Sequence, residues 1–189
     1  MDTMGAMSVS DSVRLALPAE AVDLARIQRR VWSQSDALAS AVQATAADEA
    51  TRAWHDAIVR PPLAHFRVLV AIGEAGIVGF AVTGPSGDPD AEATTGSIGE
   101  FIVDPAQRGK GHGSRLLNAA VDTLRTDGYL VATMWVPATD DALREFLVAS
   151  GWGTDGAHQE VGVDDEGTHL KLVRLHTDIG LEPGQARSI

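Results

Sequence analysis

The 189 residues include no cysteine, one tyrosine, two lysines and no apolar run long enough to cross a membrane. Without cysteine there is no disulfide scaffold, no thiolate metal site and no cysteine nucleophile. A membrane-spanning helix needs about 20 consecutive apolar residues. The first twelve residues lack the basic-then-apolar pattern of an export signal, so a cytoplasmic protein is the expectation. Bases are scarce: 15 stand against 26 acids, for a formal charge of −11. That balance argues against a nucleic-acid or anionic-membrane partner, because either needs a basic face.

What is present fits one soluble domain: 44% hydrophobic and 22% charged residues, in a chain long enough to bury its own core. The acids are uneven. Residues 84–104 carry Asp88, Asp90, Glu92, Glu100 and Asp104, and residues 154–167 carry Asp155, Glu160, Asp164, Asp165 and Glu166. Neither stretch holds a lysine or arginine. They read either as solvated loops or as a field that draws in a cationic substrate. The six histidines show no metal-ligand spacing, and no metal is expected.

Periodicity and turn residues divide the chain. Residues 1–11 form a loose N-terminal segment, 12–176 a single domain and 177–189 a tail. Residues 13–17 alternate as a short strand, and Pro18 opens a helix with Leu24, Ile27 and Val31 on one face. Residues 32–35 break that pattern. A second helix spans 48–60 and stops at Pro61-Pro62. Strands at 66–72 and 77–83 form a hairpin, 84–95 is a loop, and 97–103 is a strand. A helix over 114–127 ends at Gly128. Residues 129–136 form a strand. Asp140 caps a helix that stops at Gly151, and strands at 157–163 and 168–176 close the domain. Helices between strands imply parallel crossovers within a mixed α/β sheet.

The segment Val103-Asp104-Pro105-Ala106-Gln107-Arg108-Gly109-Lys110-Gly111-His112-Gly113-Ser114 joins a strand to a helix through three alternate glycines. A helix start offers unpaired N–H donors and partial positive charge. Glycines remove the Cβ atoms that would hold a phosphate away from those donors. Arg108 and Lys110 add cations in an otherwise acidic chain. A Walker-type loop fails, because Gly109-Lys110 is followed by glycine and position 104 is aspartate. A dinucleotide fingerprint fails at Leu116, where its third glycine would stand.

These residues resemble the GNAT superfamily of acyl-CoA-dependent N-acetyltransferases. Arg108, Gly111 and Gly113 match its diphosphate loop, and Val103-Asp104-Pro105 matches the strand end before it. The downstream strand, Asp140, the helix and Gly151-Trp152 match its second signature. The resemblance covers about residues 12–176. It implies a mixed, mostly antiparallel sheet of about seven strands with helices on both faces. It also implies acetyl-CoA as cosubstrate, bound by Phe101, Ile102, Val103, Arg108, Gly109, Lys110, Gly111, His112, Gly113, Ser114 and Asp140. The strand carrying Phe101–Val103 parts from the next, and an amide near Ile102 or Val103 polarises the thioester.

The implied reaction is direct attack by a primary amine, small-molecule or peptide, in a ternary complex. Glu100 is the implied base. Strand alternation sets Ile98, Glu100 and Ile102 on one face and Gly99, Phe101 and Val103 on the other. A carboxylate within an apolar strand is costly unless paired or functional. Relatives place a tyrosine acid where this chain has Leu147. A water, the Ser150 hydroxyl or no acid at all could serve instead, and a non-catalytic acyl-CoA binder or sensor is the alternative. Trp32, Gln34, Trp135, His158 and Glu160 are acceptor-side candidates, each with a packing or surface role as the competing reading. His112 reads as a loop residue, and Trp54 and Trp152 as core. Exposed strand edges in such folds leave room for a homodimer.

Overall fold

The computed structural model describes residues 11–74, 76–163 and 167–180. The chain runs β1 (Ser12–Leu15), a 3-10 turn at Pro18–Glu20, α1 (Ala21–Trp32), α2 (Asp36–Ala44) and α3 (Ala47–Val59). Then come β2 (Arg67–Gly73), β3 (Gly76–Pro85), β4 (Thr95–Val103), α4 (His112–Thr126), β5 (Val131–Pro137), α5 (Asp141–Ala149), β6 (Gly153–Gly162) and β7 (His169–Asp178). The seven strands lie in the order β1-β2-β3-β4-β5-β7-β6. Every pairing is antiparallel except β4–β5.

The expected pattern needs three corrections. Three helices precede β2 instead of two. The sequence of α2, DALASAVQA, is built of small residues and buries only Val42, so it shows no apolar stripe. His112 is the first residue of α4 and is buried, not part of a loop. The last strand also runs past its expected end at 176: β7 reaches Asp178, and Ile179 is buried with its N–H on Leu130 O at 2.8 Å.

The sheet separates two cores. On one face α4 and α5 contribute Leu116, Leu117, Ala120, Leu124 and Leu147, packed with Ile98, Met134, Val136 and Trp152. On the other, Leu24 and Ile27 of α1 cover Val68, Val70, Phe80 and Ile102, with Trp54 of α3 edge-on to Phe80 at 4.9 Å. Each fully buried aliphatic side chain contributes roughly 2 kcal/mol.

One irregularity positions the site. Ala81 pairs with Phe101 and Thr83 with Ile98, so Val82 faces two residues, Gly99 and Glu100. This β-bulge reverses the inside–outside phase of everything beyond it. Ile98 therefore packs in the α4/α5 core and Ile102 in the α1/α3 core, contrary to simple alternation. At the same point the sheet parts. β4 and β5 pair only through Thr95–Ile98 and Val131–Met134. Beyond that, Phe101–Val103 stay with β3 while Trp135–Pro137 stay with β7.

Candidate active site

The loop after β4 is held from below. Asp104 donates its N–H to Val78 O at 2.8 Å, and its carboxylate accepts from Ala106 N at 3.0 Å and from Arg30 Nη1 at 2.6 Å. Arg30 thereby ties α1 to the loop. Gly109 and Gly111 take left-handed φ values of 76° and 80°, where a side chain would be strained. Gly111 caps α4. Among the described residues, the amides of 109–114 donate to no protein acceptor. They form a row of unpaired N–H groups at a helix N-terminus, suited to an anion.

This row opens onto a cavity of about 450 Å³ lined by Phe101, Ile102, Val103, Arg108, Gly109, Gly111, Gly113, Ser114 and Asp140. Val31 of α1 and Ala142, Leu143 and Phe146 of α5 complete its wall. The Phe101 and Phe146 rings stack at 6.0 Å. A Cβ on Gly113 would stand 3.7 Å from Phe146 and 3.9 Å from Val103, so this glycine leaves space rather than relieving a clash. Asp140 Oδ1 accepts from Leu143 N at 3.0 Å, which caps α5. Two of the expected binding residues do not line the cavity. Lys110 Nζ donates to Gln107 Oε1 at 2.9 Å, and the buried His112 ring lies 3.1 Å from Arg115 Nη2.

Ladder geometry sorts the amides along the parting strand. Asp104 bonds to Val78, so the Phe80–Ile102 pair is also hydrogen-bonded, and Ile102 directs its N–H to β3. The N–H groups of Phe101 and Val103 point instead into the gap. The expected donor near Ile102 or Val103 is thus narrowed to Phe101 and Val103.

Glu100 stands on the α1 side of the bulge, beside the cavity rather than in its wall. Burial pushes its carboxyl up to about 7, offset in part by the polar amide of Gln28 on α1. At such a value the carboxyl exchanges its proton near neutral pH.

An acetyltransferase model of the GNAT family matches residues 24–152. The chain belongs to the GNAT acetyltransferase family. Among solved structures, an N-acetyltransferase from Staphylococcus aureus Mu50 superposes with a TM-score of 0.72 at 20% identity, covering 90% of this chain and 99% of that one. The putative acetyltransferase YncA of Salmonella typhimurium, determined with acetyl-CoA, gives 0.70 at 20% identity and covers 93% and 97%. The PaiA N-acetyltransferase of Thermoplasma acidophilum, in complex with coenzyme A, gives 0.65 at 14% identity and covers 90% and 99%. No curated protein matches the sequence.

Three acids of the acid-rich stretches in this GNAT domain, Asp88, Asp90 and Asp155, are paired, whereas Asp164, Asp165 and Glu166 lie outside the described residues. Arg174 of β7 bonds Asp88 at 3.0 Å, Asp90 at 2.6 and 2.7 Å, and Asp155 at 2.7 Å. Its charge is neutralised on three sides, and these contacts hold its pKa above the ordinary value. Trp135 Nε1 donates to Asp88 at 2.9 Å, and its ring lies 5.5 Å from the Arg174 guanidinium. Trp135 is thereby locked into this cluster. Trp32 packs against the α1/α3 core, and Gln34 is exposed. Glu160 pairs with Lys171 at 3.4 Å, and His158 is exposed. None of these five lines the cavity.

The position of the usual acid and its hydroxyl substitute both lie away from the cavity. Leu147 is fully buried on the core face of α5. The Ser150 hydroxyl donates to Phe146 O at 2.8 Å at the exposed end of α5, away from the cavity lining. The sequence reading missed Gln28 and Gly79. Gln28 falls four residues after Leu24, on the apolar face of α1, and a polar residue there was the available signal. A Cβ on Gly79 would stand 2.6 Å from Ile102 O, so glycine lets β3 approach β4 closely where the sheet parts. Among the described residues, no helix is long and apolar enough to cross a membrane, and no acid or histidine cluster is suited to a metal.

Proposed function

We propose that the protein transfers an acetyl group from acetyl-CoA to a primary amine by direct attack in a ternary complex. The observation that carries this reading is the row of unpaired amides at 109–114, opening onto a cavity that ends where β4 and β5 part. The amides, with Arg108, would hold the diphosphate. Phe101 and Val103 carry main-chain groups that face the gap and suit the extended arm and the thioester carbonyl. When bound, acetyl-CoA supplies an activated acyl group.

The residues of the chain do the rest. Glu100 takes the proton from the attacking ammonium, directly or through water, and a near-neutral pKa fits that task. The N–H of Phe101 or Val103 donates to the oxyanion that forms as the amine nitrogen bonds to the acyl carbon. The carbon–sulfur bond then breaks, and the thiolate leaves with no tyrosine to protonate it. Because Arg174 engages Asp88, Asp90 and Asp155, those three acids are not free to draw in a cationic acceptor. The edge strands β1 and β6, each paired on one side among the described residues, are where a second copy would add to the sheet.

A panel of amines with detection of free thiol tests the activity. Release of CoA with at least one primary amine is expected. Glu100→Gln should lower turnover about 100-fold or more while the thermal shift with acetyl-CoA stays. A second reading, a non-catalytic acyl-CoA binder, is favoured by the burial of Leu147 where relatives keep a tyrosine. It predicts the same thermal shift with no thiol released by any amine.

A further inference from the structure

Arg115 sits in the first turn of α4 and folds back over the entrance of its own helix. Its backbone N–H donates to Gly111 O at 3.2 Å. Its side chain does not line the cavity, so it meets the amide row from behind. Nη2 lies 2.6 Å from Asp11 Oδ2, 3.1 Å from His112 Nδ1 and 3.2 Å from Lys110 O. A guanidinium only donates, so all three are acceptors and share its hydrogens. In His112 the ring proton therefore sits on Nε2. The ring is buried and wedged against the end of β2: a Cβ on Gly73 would stand 2.9 Å from His112 Cε1. Gly111 admits the guanidinium at close range, for a Cβ there would stand 3.1 Å from Arg115 Nη1. The loop's own cations are engaged elsewhere. Arg108 Nε lies 3.4 Å from Val103 O, and Lys110 Nζ donates to Gln107.

The Lys110 carbonyl matters because of the amide bonded to it. In a trans peptide the carbonyl and the following N–H point to opposite sides. With Lys110 O turned back to Arg115, the Gly111 N–H is turned away from it, toward the cavity that Gly111 lines. Gly109 and Gly111 flank Lys110, both with left-handed φ, and glycine by itself does little to stop this peptide from turning over. We infer that Arg115 is a positioning residue: anchored by Asp11 and His112, it holds the Lys110–Gly111 peptide with its amide aimed at the anion. The anchor reaches 104 residues back in sequence, to the residue just ahead of β1. This role rests on the amide row being the diphosphate site, and it names what keeps one of those amides in line.

Two NMR measurements on the full chain test this. Without ligand, a triple-resonance cross-peak that links the Gly111 amide to the Lys110 carbonyl carbon reports both ends of the peptide. Arg115→Met keeps the stem and removes the donors, and should move the carbonyl resonance upfield. Asp11→Ala should move it the same way by less. Titrations then compare acetyl-CoA with acetyl-pantetheine, which lacks the diphosphate. Arg115→Met should weaken acetyl-CoA about tenfold and leave acetyl-pantetheine unchanged, whereas a general loss of structure would weaken both. Asp11→Ala separates holding from charge attraction. If Arg115 only attracted the diphosphate, removing the nearby carboxylate would tighten acetyl-CoA. If Arg115 holds the peptide, removing its anchor weakens acetyl-CoA, which is the expected result. An unmoved Lys110 carbonyl, equal loss of both ligands, unchanged acetyl-CoA affinity in Arg115→Met or tighter binding by Asp11→Ala would overturn the inference. A wild-type protein that bound no acetyl-CoA would remove the diphosphate reading instead, and the ligand-free carbonyl resonance would still judge Arg115.

Discussion

Glu100 in the folded protein keeps its proton to about pH 7, whereas an unperturbed glutamate loses it near 4.5. Between those values the folded state binds more protons than the unfolded one, so stability falls as pH rises from about 4.5 to about 7 and levels off above. Glu100→Gln removes the titration. The variant should therefore gain on the wild type by on the order of 3 kcal/mol at pH 8 and by nothing at pH 4. Urea unfolding at the two pH values measures the difference. A constant gap would mean that Glu100 ionises freely. Turnover and stability thus oppose each other at one carboxyl, as expected where a half-buried group is kept for chemistry.

The glycines of the α4 entry serve two different needs, although in sequence they look alike. Gly111 is set by its backbone: at φ 80°, Gly111→Ala costs about 1–2 kcal/mol, which should lower the melting temperature. Gly113 is set by the cavity. Gly113→Val should leave the melting temperature nearly unchanged while weakening acetyl-CoA about tenfold or more, because the added methyls fill the space beside Phe146. Calorimetric titration alongside thermal melts separates the two effects. The strand–loop–helix frame was legible because α4 has a strong apolar face and its glycines mark its entry. α2 was not, because small residues give it no stripe to read. The bulge was not either. A single extra residue leaves no pattern of its own, yet it shifts the phase of every residue after it. Glu100 was identifiable as an acid among apolar neighbours, but the Gln28 amide that partly offsets its burial lies on α1, far from it in sequence.

For the whole molecule, the charge of −11 overstates the field at the site. Arg174 lies 86 residues from Asp88 in sequence, so no local window pairs it with the acids it neutralises. Its contacts also bear on how the sheet holds together. β1 to β4 form one antiparallel block and β5 to β7 another, and four residue pairs join them. Asp88 and Asp90 belong to the loop of the first block, and Arg174 and Asp155 to the second. Arg174→Met should cost about 1–2 kcal/mol, kept modest because Asp90 is largely open to solvent. It should also speed hydrogen exchange at Thr95–Ile98 and Val131–Met134 more than in β2 or β7. Equal acceleration across all strands would mean that the cluster stabilises the fold without clasping the two blocks.

The four-pair seam between β4 and β5 makes the protein resemble a book bound along a short spine. The amide row belongs to one cover, and α5 with Asp140 to the other. A cosubstrate lying in the cavity would touch both covers at once and act as a strap across them. Its arrival should therefore be felt in β5 and β7, at amides it never contacts, as slower exchange with solvent.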